Sequence, residues 1–208
     1  MKFKANSLNL LLAYFVLLFS QQICFQLIKN NAILFPVETV LYLGGAAGLV
    51  WLFIHYRYCN MFENRPAGKG QTACWIILGV PLILAAQRLL FWLEVTWLKQ
   101  PAVSENTASL QAISVKYPYY LLVIALAAPI IEELIFRKVL FGNFTYWFKP
   151  WQTALLSSLL FALAHGDGHY LTYTIIGLVL CLIYGKTGRI QASMAVHILM
   201  NCAVLLLN

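Results

Sequence analysis

Apolar runs long enough to cross a bilayer recur along the whole chain, and this limits the fold more than any other feature. About 20 consecutive apolar residues make a helix that spans the hydrocarbon core. Such runs stand at residues 8–28, 35–54, 73–98 and 117–141, with shorter ones at 151–165, 170–184 and 190–207. The predicted fold is all-α: a polytopic transmembrane helix bundle of about seven spans. Hydrophobic residues make up 62% of the chain and charged residues 10%, against about 25% charged in a soluble domain. Residues 1–208 are read as a single integral membrane domain. Spans one to three and a polar external loop occupy 1–116, and the last four spans occupy 117–208. The first run is too long for a signal-peptide core and no small-residue cleavage site follows it, so it is read as a retained span. Gly44 and Gly48, at small-xxx-small spacing, are read as a close-packing face of span two.

The net charge is +7, yet Lys and Arg fall in short loops between spans rather than on one basic stripe. That pattern follows the positive-inside rule. It excludes a nucleic-acid partner and puts the N-terminus in the cytoplasm. The segment between Lys99 and Lys116 then lies outside, and Arg137, Lys138 and Lys149 lie on the cytoplasmic side. Cys24, Cys59, Cys74, Cys181 and Cys202 lie in or beside apolar runs without CxxC spacing, and read as packing residues rather than as a disulfide or zinc framework.

Against this apolar background, Glu132 and Glu133 sit side by side in the middle of span four. An ionisable group near the bilayer centre costs at least ~2.5 kcal/mol, and adjacent carboxylates repel. Arg137 follows Glu133 at helical i+4 spacing, which favours a structural ion pair. Glu132 has no such partner and is the better candidate for a function. Two further i, i+4 pairs follow: Phe161 with His165, and His197 with Asn201. Asp167 and His169 lie in a Gly-rich turn that reads as solvated, and Arg88 and Glu94 read as snorkelling to the outer interface.

These groups suit hydrolysis. A carboxylate beside a neutral histidine can deprotonate water, and a second histidine with an amide can stabilise the resulting oxyanion. There is no GxSxG elbow, and Ser157, Ser158 and Ser193 read as packing residues, so activated water fits better than a covalent intermediate. Glu132, His165 and His197 offer ligands for a divalent metal. Without an HExxH segment that alternative is not favoured, and no cofactor is expected.

In order and spacing, Glu132-Glu133-x-x-x-Arg137, Phe161-x-x-x-His165 and His197-x-x-x-Asn201 resemble the motifs of the CPBP intramembrane proteases. That family includes the type II CAAX prenyl endopeptidases and bacterial Abi-type proteins. The segment from Gly177 through Tyr184, Thr187 and Arg189 is similar to its penultimate span and turn. The resemblance covers about 118–205 and makes 117–208 a CPBP-like catalytic core. It implies a glutamate-type peptide hydrolase in which Glu132 and His165 activate water. His197 and Asn201 form the oxyanion site, while Glu133, Arg137 and Phe161 support it, with no metal. It also implies a peptide or membrane-anchored protein substrate, a bacterial cytoplasmic membrane, and a role in bacteriocin processing or self-immunity, or in maturation of peptides or surface proteins. A non-catalytic membrane immunity or binding protein is the alternative, and a proton-coupled carrier a weaker one. Nothing here carries a prenyl pocket or fixes the oligomeric state.

Overall fold

The computed structural model describes residues 5–207. Eight helices follow one another: α1 (Ala5–Leu27), α2 (Asn31–His55), α3 (Lys69–Trp97), α4 (Glu105–Lys116), α5 (Pro118–Tyr146), α6 (Pro150–His165), α7 (Tyr170–Thr187) and α8 (Ile190–Leu207). There is no strand among the described residues. α1, α2, α3, α5 and α7 are each long and apolar enough to cross a membrane. α6 has 16 residues, or ~24 Å at 1.5 Å per residue. With the apolar α8 it completes the bundle. This is a polytopic, all-α integral membrane protein.

Local chemistry sets the helix ends. The Asn30 side chain accepts from the N–H of Ala32 and caps α2. Ser104 accepts from the N–H of Thr107 and caps α4, each satisfying an N–H that the first turn leaves free. α6 and α7 stop at Gly166 (φ 66°) and Gly188 (φ 61°), both left-handed, as glycine permits. At Gly188 a Cβ would also lie 2.3 Å from the Phe62 carbonyl oxygen, so only glycine fits.

α5 and α7 form the inside of the bundle, with about half or more of their apolar windows buried, while most of α1–α3 faces outward. α6 packs along α7, and α3 packs against both α7 and α8. Close approach relies on other glycines than the pair expected from sequence. Gly44 and Gly48 face open space. A Cβ on Gly45 would lie 2.6 Å from Leu17, one on Gly177 2.9 Å from Ser158, and one on Gly79 2.8 Å from Ile183. The small-residue spacing was real, but α1 packs against the neighbouring position of α2. Leu134, Val139, Leu180, Ile183 and Val196, all fully buried, make the apolar centre.

α5 is the irregular element. Val123–Ala127 and Glu133–Gly142 are wound as π-helix, with a short α-helical piece, Ala128–Glu132, between them. Wide turns of this kind are rare and concentrate at functional sites. The Phe136 carbonyl accepts from Ser157 of α6 at 2.6 Å. The span expected over 117–141 is helical throughout and runs on to Tyr146, but neighbouring side chains take up part of its backbone hydrogen bonding.

A second correction concerns basic residues. Arg137 and Lys138 are fully buried rather than at an aqueous face, and only Lys149 of the three is exposed. Lys138 is paired with Glu63 of the loop after α2 and also donates to the Tyr58 carbonyl. Tyr184 donates to Glu63 at 2.7 Å, and Asn60 donates to Tyr184 at 2.8 Å. Asn143 donates to Ser7 at 2.8 Å. This buried network ties the loop after α2, α5, α7 and the start of α1 together. No sequence motif announced it, because Lys138 and Glu63 are 75 positions apart.

Candidate active site

At the other end of the bundle lies a cavity of about 300 Å³ whose lining includes Glu132, Phe161, His165, His197 and Asn201. Residues from α5, α6 and α8 that the sequence grouped by spacing therefore meet in one space. Asn106, Thr107 and Leu110 of α4 line it too, so the amphiphilic helix between α3 and α5 lies over the site.

His197 organises the site. It is 2% exposed, with Nδ1 3.0 Å from Glu133 Oε1 and Nε2 3.7 Å from Glu132 Oε2. One imidazole thus faces both adjacent carboxylates, which project in different directions from the helix. Glu133 is fully buried, while the Glu132 side chain is 25% exposed. Behind the cavity, Arg137 Nη1 lies 3.3 Å from Glu133 Oε1. The guanidinium nitrogens lack hydrogen-bond partners among the described residues. The guanidinium carbon sits 4.3 Å from the Phe161 ring centroid and 6.0 Å from that of Phe136, so the cation is held by one carboxylate and two aromatic rings. Glu133, Arg137 and Phe161 form a stack under His197.

His165 is held on two sides. Its Nδ1 is 2.8 Å from the Phe161 carbonyl, and its ring stacks on Tyr173 with centroids 4.0 Å apart. A carbonyl only accepts, so the proton sits on Nδ1 and a neutral His165 presents a lone pair at Nε2. The Tyr173 hydroxyl donates to Asp167 at 3.1 Å, and Asp167 also accepts from Ser104, the cap of α4. Sequence reasoning missed Tyr173. Its signal, a tyrosine eight positions after His165 across a glycine turn, is too general to read alone.

Asn201 lines the cavity and also donates from Nδ2 to the Ile124 carbonyl at 3.0 Å. Its amide carries two hydrogens, one of them used in this bond.

His169 and Glu94 are buried rather than solvated or snorkelling as expected, whereas Asp167 is half-buried. Glu94 and His169 are each 1% exposed. Glu94 accepts from the N–H of Leu171 at 2.7 Å and from the Thr172 hydroxyl, and lies 3.3 Å from His169 Nδ1. A carboxylate at a helix N-terminus meets free N–H groups and the positive end of the dipole. Glu94 therefore caps α7 from a different helix, which is a task at a distance that local sequence does not display.

No group of three or more His, Cys, Asp or Glu side chains among the described residues lies close enough together to hold a metal ion.

The family model for type II CAAX prenyl endopeptidase Rce1-like proteins matches residues 114–203, a segment that contains Glu132, Glu133, Arg137, Phe161, His165, Tyr173, His197 and Asn201. The chain is also 30% identical over 173 residues to the membrane-embedded CAAX protease MroQ of Staphylococcus aureus (strain USA300). That match covers 79% of this chain and 70% of MroQ. The chain belongs to the CPBP family. A second relative is YdiL of Bacillus subtilis (strain 168), a membrane protein named as a peptidase. It is 30% identical over 140 residues, or 67% of this chain, and the match spans 57% of YdiL. No solved structure matches the chain.

Proposed function

We propose that this CPBP protein is an intramembrane endopeptidase that hydrolyses a peptide or membrane-anchored protein with activated water. The observation that carries this reading is the position of His197 between Glu132 and Glu133, with Glu132 open to a cavity that His165 also lines.

In this scheme Glu132, helped by the Nε2 lone pair of His165, takes a proton from water as the water oxygen bonds to the peptide carbonyl carbon. The carbonyl oxygen becomes an oxyanion, and His197 as an imidazolium and the unused Asn201 N–H stabilise it. Collapse breaks the C–N bond, and the proton held by the Glu132–His165 pair passes to the departing nitrogen. An imidazolium at His197 has a carboxylate at each ring nitrogen, so Glu132, Glu133, Arg137 and His197 balance to zero. Glu133, Arg137 and Phe161 hold His197 in place. No step uses a metal or cofactor.

The sidedness follows from charge. Arg57, Arg65, Lys69 and Lys186 lie exposed at the end away from the cavity, which the positive-inside rule assigns to the cytoplasm. The cavity and α4 then face outward from a bacterial cytoplasmic membrane. Substrates entering there suit processing of a bacteriocin or signalling peptide, self-immunity, or maturation of a surface protein.

The test is peptide-terminus mapping of host membranes carrying wild type or Glu132→Gln at equal levels. New termini near membrane spans, present only with wild type, are the expected result. Identical termini in both, with a resistance phenotype that survives Glu132→Gln, overturn the reading in favour of a non-catalytic immunity protein.

A further inference from the structure

A second cavity of about 460 Å³ lies beside the first. Gln87, Thr107, Tyr173 and Val204 line both, so the two share a wall. Three polar groups in the second cavity are left unmatched.

The first is Arg88, which lines it and forms no ion pair among the described residues. It stands nine residues before the end of α3 at Trp97, or ~14 Å along the helix. Its side chain is partly open outside the bundle as well as lining the cavity, and at this depth in a span a cavity or a counter-charge suits an arginine better than lipid. The second is His169, which lines the cavity with Nε2 buried and unpartnered. Glu94 faces its Nδ1 and only accepts, so a neutral ring carries its proton on Nδ1 and presents a lone pair at Nε2. The third is Gln87 Oε1, on the shared wall, also buried without a partner. Two orphaned acceptors and an unpaired cation complement a molecule that carries N–H donors close to an anion. Water satisfies the acceptors but leaves the guanidinium unpaired. A lipid head can supply a phosphate with an ammonium or hydroxyl beside it, and lipid is therefore an outcome of the test below. A peptide supplies both, and Leu84, Phe91 and Val103 in the same lining suit an apolar side chain between them.

The geometry points to a carboxylate-binding subsite: this cavity receives the peptide segment flanking the scissile bond, with Arg88 pairing a peptide carboxylate and Gln87 Oε1 and His169 Nε2 accepting backbone N–H groups. The inference rests on the proposed cleavage in the adjoining cavity. The carboxylate is either a C-terminus or an Asp or Glu side chain.

Binding to the full chain in phosphatidylcholine nanodiscs, followed by saturation-transfer NMR, tests this without turnover. The probes are acetyl-Leu-Ala-Leu as free acid, the same peptide as its amide, and acetyl-Leu-Glu-Leu amide. At least one acidic probe is expected to bind about tenfold more tightly than the neutral amide, corresponding to one charge-assisted contact. Arg88→Gln removes that preference, and Arg88→Lys keeps part of it. Preference for the free acid identifies a C-terminal ligand, and preference for the Glu peptide a side chain. Equal binding of all three, binding of none, or an unchanged preference in Arg88→Gln overturns the subsite. So does displacement of the acidic probe by phosphatidylglycerol in the nanodisc, which makes the occupant a lipid. The same titration on Glu132→Gln separates the two readings. A preference that persists while terminus mapping finds no cleavage by wild type leaves the subsite standing and removes the protease.

Discussion

Asn201 stands in for the N–H that Pro129 lacks. In the wide turn before Pro129, the Ala128 N–H bonds to the Val123 carbonyl, five residues back. The next N–H in that register belongs to position 129 and would reach Ile124. Proline has none, and the Asn201 side chain fills the gap at 3.0 Å. α8 is thereby joined to α5 about two turns before Glu132.

This makes a prediction about coupling. Asn201→Leu leaves the Ile124 carbonyl without a donor at a cost of about 1–3 kcal/mol. Pro129→Ala restores a backbone donor, so Asn201→Leu should cost clearly less in that background. Thermal unfolding in detergent of the four proteins of the cycle checks this. Simple additivity would show that the two residues act separately.

Glu133 and Glu132 should fail differently. Glu133→Gln leaves Arg137 buried beside a neutral amide, and the expected loss is about 3–5 kcal/mol of stability. Glu132→Gln, on the cavity wall, is expected to abolish cleavage with little change in melting temperature. Measuring melting and cleavage on the same preparations distinguishes a supporting residue from a reacting one.

Tyr173 is expected to act through His165. Tyr173→Phe keeps the stacked ring and loses the bond to Asp167, so most of the activity should remain. Tyr173→Leu removes the platform, and turnover should fall by about tenfold or more through misplacement of the histidine. Kinetics on a cleaved peptide would show kcat falling more than KM changes if the role is positioning.

Glu94→Ala should fray the start of α7. Three donors lose their acceptor, and about 3 kcal/mol or more is expected from that many unmade buried bonds. Hydrogen exchange at the amides of residues 171–174 should accelerate in the variant, while exchange near Gly188 stays as in wild type.

Much of the plan was legible in the chain. Apolar runs of about 20 residues determine the helices, because a helix of that length satisfies its own backbone across the lipid. Helical i, i+4 spacing paired Glu133 with Arg137 and put His197 and Asn201 on one face, and these groups do converge. The wide turns of α5 were hidden, since they depend on Ser157 and Asn201 from other helices to satisfy carbonyls. Glu94 and Lys138 were misread for a related reason. A charge near a span end looks like a surface group until its acceptors or donors, contributed by residues about 75 positions away, are in place.

The network around Lys138, Glu63 and Tyr184 bears on more than packing. No residue lining the candidate cavity belongs to it, and fully buried Leu134, Val139, Leu180 and Ile183 lie in the apolar centre of the bundle. Water reaching Glu132 from the α4 end therefore meets a dry plug before the opposite face. A hydrolytic chamber of the kind proposed could thus stand open in a membrane that holds a proton gradient without short-circuiting it.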